Sequence, residues 1–467
     1  MITKTHQAFI SLDILNIETF MCTPHLETAG EISLRYISDR RTVGFVYMGE
    51  SNPDDELSLV NRLIGSKKTI KVRQFSKLLK QKGVFILEPK GLPAGVCNQI
   101  EVLSQVTFTE ISELKRFKYK GAAIGIGVAS SLISKTKDPD PDLSIHAQLI
   151  SMYIREAILV FERTVLLIET YRPKAILTFN GRFALCKPIW EAARIKSVEI
   201  VFHERGADYN RFVLQNRPVH DFSYTRSLII KNWEDADLEK TRTGHTFFAR
   251  RKQGDGIGWR SFTGLQEREV VPEKNRRKRI VYFSSSDDEY AAIEDLVGSA
   301  LFVSQREAIG WLINYVEEAP GTELVIRLHP NKVGASQRER SWWEGLRGNN
   351  VTVVKPGNKI DSYALAASAD IVVSYGSTMG IEAAYWGTPS ILLGEALYSG
   401  MGCVYEPLSL QDLTDLLRKR KLSRLPTERC LPYGYYFVTF GTNYVYYKPD
   451  SLFSGSFLGV KLTRDPP

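Results

Sequence analysis

Short apolar runs closed by small or polar residues, each followed by a stretch of helical spacing, recur along the chain. "TVGFVYMGES" (42–51) and "GVFILEP" (83–89) predict strands, and "ELSLVNRLI" and "VRQFSKLLKQK" between them predict helix. From 144 the pattern strengthens. "SIHAQLISMYIREAILVFERTVLLIETYRP" is a long apolar-periodic helix stopped by Pro173, and "KAILTF" (174–179) is a strand ending in Asn180-Gly181-Arg182. "FALCKPIWEAARIK" predicts a helix and "VEIVFHERGAD" (198–208) the next strand and its loop. Strand, short loop, helix and strand at this spacing make a parallel βαβ unit.

A polar stretch, 254–279, interrupts the alternation and ends in the basic run "KNRRKR", which reads as a solvated linker. A second alternation then begins: "IVYF", the loop "SSSDDE", the helical "QREAIGWLINYVEEA", and the strands "ELVIRLHPN" (323–331), "VTVVKPGN" (351–358), "ADIVVSYGST" and "PSILLG". The prediction is an α/β chain of two Rossmann-like, doubly wound domains facing across a cleft. We place an N-terminal Rossmann-like domain over 1–260, a linker over 261–279, a C-terminal Rossmann-like domain over 280–425 and an aromatic tail over 426–467. The tail packs back on the first domain or meets a membrane beside "LRKRKLSR". "GAAIGIGVASS" (121–131) lacks the third glycine of a dinucleotide fingerprint and reads as a turn before a helix.

Length agrees with this division, since 467 residues suit two domains of roughly 200 residues each. No apolar run approaches the roughly 20 residues of a membrane span. The first residues show no signal-peptide pattern. Five scattered cysteines without a CxxC pair argue against a disulfide frame or zinc site and suit a reducing cytoplasm. The net charge of +8 favours an anionic partner. The basic runs lie in a linker and a C-terminal helix, without interleaved aromatics, so a nucleic-acid partner is not expected.

Candidate chemistry gathers at strand ends, where open α/β sheets bind ligands. In "SYGSTMGIEAAYWGTP" (374–389), Ser374, Ser377 and Thr378 offer hydroxyls, and Gly376 and Gly380 permit close backbone approach at a helix start. The turn suits a phosphate; it equally suits an ordinary N-cap at Ser377 or Thr378. Glu382 lies further along, on a face able to reach ribose hydroxyls. His329 ends a strand before Pro330 and can donate to a phosphoryl oxygen, with Asn331 beside it. Ser284, Ser285 and Ser286 follow the first strand of this domain. Asp287, Asp288 and Glu289 stand in succession, cannot all converge on one ion, and suit a helix start, so no metal is expected. In the first domain Glu204 is the candidate base for deprotonating an acceptor hydroxyl, with His203 and Asp208 as alternatives. A surface salt bridge of Glu204 to Arg205 or Arg211 is the competing reading. Asn180, Arg182 and Arg205 are placed to orient donor or acceptor.

"HP" after the second long strand, then "SYGST…EAA…G.P", resembles the bacterial capsular and surface polysaccharide glycosyltransferases of GT-B fold. It is similar in layout to bacterial sialyltransferases and Kdo transferases. The resemblance implies that His329 and the serine turn bind the phosphate of a nucleotide sugar, with a CMP-sugar favoured. It also implies that the acidic motif of the first domain, here "HERG", supplies the catalytic carboxylate at Glu204. Only one carboxylate stands in that motif, with Asp208 nearby. The implied reaction moves sugar to a growing capsule or O-antigen, an oligosaccharide or lipid-linked acceptor, without metal or other cofactor. The chain would then be cytoplasmic, at or near the inner membrane. Two alternatives share the two-domain layout: a nucleotide-sugar 2-epimerase, and a teichoic-acid-type glycerophosphotransferase using a histidine base such as His203.

Overall fold

The computed structural model describes residues 11–49, 59–89, 91–256, 261–274, 276–286, 291 and 301–462. Asp287, Asp288 and Glu289 lie outside them. The chain divides into two compact units. The first comprises 1–132, 140–219 and 441–467; the second comprises 133–139 and 220–440.

The first unit is built on a seven-stranded sheet. Its strands are β1 (Ile14–Glu18), β2 (Val43–Tyr47), β3 (Phe85–Ile86), β4 (Ala175–Phe179), β5 (Glu199–Arg205) and β6 (Arg211–Gln215), with the two-residue Thr442–Asn443 at one edge. From that edge the order is Thr442–Asn443, β6, β5, β4, β1, β2, β3. The strands from β5 to β3 are mutually parallel, whereas β6 runs antiparallel to β5. Apolar residues of the helices His25–Ser38 and Leu59–Gln81, among them Leu26, Ile32, Phe75 and Leu79, pack on Ile14, Val43, Phe45 and Leu177. Tyr447 and Phe457 of the tail enter the same core.

The second unit carries β7 (Lys278–Phe283), β8 (Thr322–Arg327), β9 (Val351–Val354), β10 (Ile371–Ser374) and β11 (Ser390–Leu392). All are parallel, in the order β11-β10-β7-β8-β9. Both faces are covered, which is why these strands read as continuous apolar runs. Ile280, Tyr282 and Ile326 face one core with Ala308, Leu312 and Trp343; Val281, Phe283 and Val325 face another with Leu365 and Ala383. Each unit is thus the Rossmann-like α/β assembly that the alternation predicts. Among the described residues no helix is long and apolar enough to cross a membrane.

Three boundaries differ from the sequence reading. The first unit yields to the second after 219 rather than 260. The helices Phe222–Glu234 and Lys240–Gln253 belong to the second unit because Ile229, Phe247 and Phe248 bury against Tyr398, Tyr433 and Tyr436. The polar stretch before β7 is not a loose linker. Glu267 N donates to Lys359 O at 2.7 Å, and Asp361 N donates to Val270 O at 2.9 Å. Its basic run is engaged as well: Lys278 Nζ binds the carbonyls of Leu417 and Lys419, and the Arg279 guanidinium is buried on Glu323. The tail is split at 440. Leu431–Thr439 is a helix of the second unit, and the first unit resumes at Gly441.

Candidate functional site

In the first unit, polar side chains collect at the carboxyl ends of β1, β4 and β5. Asn180 and Gly181 follow β4 in the left-handed backbone region, at φ 55 and 84. Gly181 is required there doubly, since a Cβ would stand 2.5 Å from the Phe202 ring. This turn aims Asn180 Nδ2 at Glu204 Oε2, 2.7 Å away. The other carboxylate oxygen, Oε1, accepts from Arg205 N at 3.0 Å. Glu204 is half-buried, so the carboxylate is oriented on one side and retains accepting capacity on the other.

The two fallback bases are otherwise employed. His203 points to the opposite face of β5, fully buried, with Nε2 3.0 Å from Glu18 Oε2. Glu18, also fully buried, accepts from Thr19 N and Phe20 N through Oε1 at 2.8 and 3.0 Å. Asp208 accepts from Asn210 N at 2.8 Å and turns the β5–β6 hairpin. The loop expected after "HERG" is this hairpin: Gly206 N donates to Arg211 O at 2.8 Å. Arg182 lays its guanidinium on the Phe183 ring, and Arg205 approaches the Phe453 ring.

His25, which the sequence reading did not single out, belongs to this group. It opens the helix after β1, and its half-buried ring lies 4.0 Å from that of Phe179 at the end of β4. Burial and the charges of His203, Arg205 and Lys71 hold it neutral, well below the ordinary histidine range. The loop before it is clamped by the buried Lys71, whose Nζ donates to Met21 O at 2.6 Å and Thr23 Oγ1 at 2.9 Å. The available sequence signal was Glu18, a carboxylate closing an apolar strand.

In the second unit, β7 has β8 and β9 on one side and β10 and β11 on the other. The chain therefore changes direction of winding at β7/β10, the crevice where doubly wound sheets bind ligands. The serines after β7 and the turn after β10 flank this crevice. Ser284 Oγ accepts from His329 N at 2.8 Å, and Ser286 Oγ accepts from Asn331 Nδ2 at 3.2 Å; both hold the loop after β8. Ser285 is different. Its amide is tied to Gln305 Oε1 at 2.7 Å, but its buried hydroxyl has no partner among the described residues. A Cβ on Gly376 would lie 3.7 Å from that hydroxyl, so bare backbone faces it across the crevice.

His329 Nδ1 accepts from Asn331 N at 3.2 Å, which leaves the proton on Nε2. Burial, reinforced by Lys332, Arg327, Arg251 and Lys137, pushes its pKa down to about 4. It is a neutral donor set in a positive field.

Not every residue of the serine turn faces this crevice. Ser374 is fully buried and turned to the Tyr398 hydroxyl at 3.3 Å. Gly380 leaves room for that pair, since a Cβ there would stand 2.5 Å from either oxygen. Ser377 Oγ accepts weakly from Met379 N at 3.4 Å, whereas Thr378 is exposed and makes no side-chain cap bond. Glu382 is fully buried and bound by the Tyr363 hydroxyl and by Arg251 Nη2 at 3.2 Å. It is an internal ion pair, not a ribose-facing carboxylate. Among the described residues no group of three or more His, Cys, Asp or Glu side chains is placed to hold a metal ion.

Residues 272–424 match a family model described as capsule polysaccharide biosynthesis protein. The second unit is similar to that family. The match covers about a third of the chain and includes the serine loop, His329 and the serine turn. No curated protein matches the chain. Among solved structures, the Thermosulfurimonas dismutans KpsC β-Kdo 2,4 transferase overlaps 56% of this chain and 79% of its own, at 15% identity and a TM-score of 0.36. A putative UDP-N-acetylglucosamine 2-epimerase from Listeria monocytogenes overlaps 90% and 94%, at 10% identity and a TM-score of 0.29. The calicheamicin glycosyltransferase CalG4 overlaps 92% and 94%, at 10% identity and a TM-score of 0.28.

Proposed function

We propose that this chain is a metal-independent glycosyltransferase of capsule or related surface-polysaccharide synthesis. It moves a sugar from a nucleotide donor, with a CMP-sugar favoured, to an oligosaccharide or lipid-linked glycan at the cytoplasmic face of a membrane. The observation that carries the reading is the β7/β10 crevice inside the family-matched segment. There a buried Ser285 hydroxyl, without a partner among the described residues, faces the bare backbone of Gly376, and a neutral His329 with its proton on Nε2 follows the neighbouring strand β8. Donors in a positive field stabilise a departing phosphate. Glu204, held by Asn180, is the base for the acceptor hydroxyl. The buried pairing of His203 with Glu18 counts against a transferase that uses His203 as its exposed base.

A thermal-shift panel of CMP, CDP, UDP, GDP, dTDP and ADP, with and without magnesium, tests this. Ligand at 100 times its Kd stabilises by about 2.7 kcal/mol, a shift of a few degrees. The expected result is a magnesium-independent shift with CMP. A shift with UDP or GDP alone keeps the transferase and removes the CMP-sugar; no shift with any nucleotide removes the reading.

A further inference from the structure

Residues 133–139 belong to the second unit although they are flanked in sequence by residues of the first. Two hydrogen bonds seat them: Ser336 N donates to Thr136 O at 2.9 Å, and Ser336 Oγ donates to Asp138 Oδ2 at 2.7 Å. Between these anchors Lys137 has φ 50, in the left-handed region that disfavours a side chain with a Cβ. Glycine would stand there without strain. Such strain persists where surrounding bonds enforce it, and it gathers at functional positions.

The strained backbone delivers an ammonium group to the loop of His329. Lys137 Nζ donates to Asn331 Oδ1 at 2.9 Å and lies 3.4 Å from Asn331 O. The same Asn331 binds His329 Nδ1 through its amide and Ser286 Oγ through its side chain. Room for the lysine is made by Gly334, where a Cβ would stand 3.0 Å from Nζ. The other cations around His329 have partners of their own, although Arg251 Nε and Arg327 Nε have none among the described residues. Lys332 is paired with Glu339 at 2.9 Å, and Arg251 with Glu382 at 3.2 Å. Arg327 gives its two terminal nitrogens to Lys355 O and Asn358 O. The hydrogen-bond partners of Lys137 are atoms of a neutral asparagine.

We propose that Lys137 is the cation that binds the phosphate of the nucleotide in the second unit, beside His329 Nε2 and the Ser285 hydroxyl. This rests on the nucleotide reading above. An ammonium that is half-buried and has no carboxylate partner among the described residues, next to neutral donors, is the arrangement an anion completes.

The test is titration of the full chain with CMP, CDP, UDP, GDP, dTDP and ADP, followed by calorimetry and melting. Lys137→Gln should weaken the nucleotide that binds wild type by about 10–100-fold, with an unchanged Tm, and Lys137→Arg should keep most of the affinity. Lys137→Gly separates binding from structure, because it relieves φ strain and should melt at or above wild type while binding as weakly as Lys137→Gln. Lys137→Gln binding within twofold of wild type overturns the inference and leaves the nucleotide reading standing. A wild-type chain that binds none of these nucleotides overturns both.

Discussion

Asn180 Nδ2 stands 2.7 Å from Glu204 Oε2, donated from a backbone position at φ 55 that asparagine tolerates better than most residues. The turn after one strand thus fixes the carboxylate on the next. Glu204→Gln should lower sugar transfer by about 10²–10⁴-fold, leaving the melting temperature and the nucleotide shift as in wild type. Asn180→Gly accepts the positive φ but loses the amide, so it should fold normally and turn over about tenfold more slowly. Product release measured beside melting curves checks both. A Glu204→Gln chain within threefold of wild-type turnover would place the base elsewhere.

A different carboxylate fastens the tail. Glu31, fully buried on the helix His25–Ser38, accepts from Val445 N, Tyr446 N and Tyr447 N at 2.9, 2.6 and 3.0 Å. Arg35 Nε completes the set at 2.8 Å. Truncation to alanine leaves three backbone donors without their acceptor. Glu31→Ala should destabilise the first unit by about 3 kcal/mol and expose the tail beyond Gly441 to proteolysis. Limited digestion followed by mass spectrometry reads this directly; an equally resistant tail would show that its other ties, among them Tyr447 and Phe457 in the core and Tyr444 on Thr28, hold it without Glu31.

The strands of the second unit were legible because burial on both faces writes them as unbroken apolar runs. Their loops were legible because small and polar residues interrupt those runs. The location of His329 followed from the same pattern. What side chains do in three dimensions was less accessible. Ser284 and Ser285 are adjacent and chemically identical, yet one holds the His329 loop and the other opens on the crevice. Glu382 reads as a helix-surface acid until Arg251, 131 positions earlier, is placed against it. Asp208 reads as a strand-end acid until β6 returns antiparallel and makes it a turn residue. Lys137 carried no local signal, since its use depends on a seven-residue insertion into the other unit.

Glu382 and Arg251 make a pair whose members stabilise only together. The carboxylate has no exposure and the guanidinium about a quarter. Removing one partner leaves a buried charge uncompensated, at about 3–5 kcal/mol. Glu382→Ala should therefore lower the melting point of the second unit far more than it weakens nucleotide once folded. The double variant Glu382→Leu with Arg251→Met should recover much of that loss. Chemical denaturation of Glu382→Leu, Arg251→Met and the double forms the cycle. Strictly additive losses would show that the pair is not coupled.

His329 makes the second unit sensitive to acid. Its folded pKa is about 4 and its ordinary value 6.5, with burial the main cause and the neighbouring cations adding to it. Between those values the unfolded chain takes up a proton that the folded chain refuses, so stability rises with pH across the window and falls as pH drops from 6.5 toward 4. The full shift corresponds to about 3 kcal/mol, complete below the folded value. His25, also depressed, acts in the same direction within the first unit, so the wild-type slope alone does not isolate His329. His329→Asn keeps an acceptor near Nδ1 and removes the titration. Denaturant midpoints of the two chains should therefore converge as pH falls from 7 to 4.5, wild type losing about 2–3 kcal/mol more than the variant. Parallel curves would mean that the imidazole is no harder to protonate in the fold than in the unfolded chain, and that the positive field around it is already neutralised.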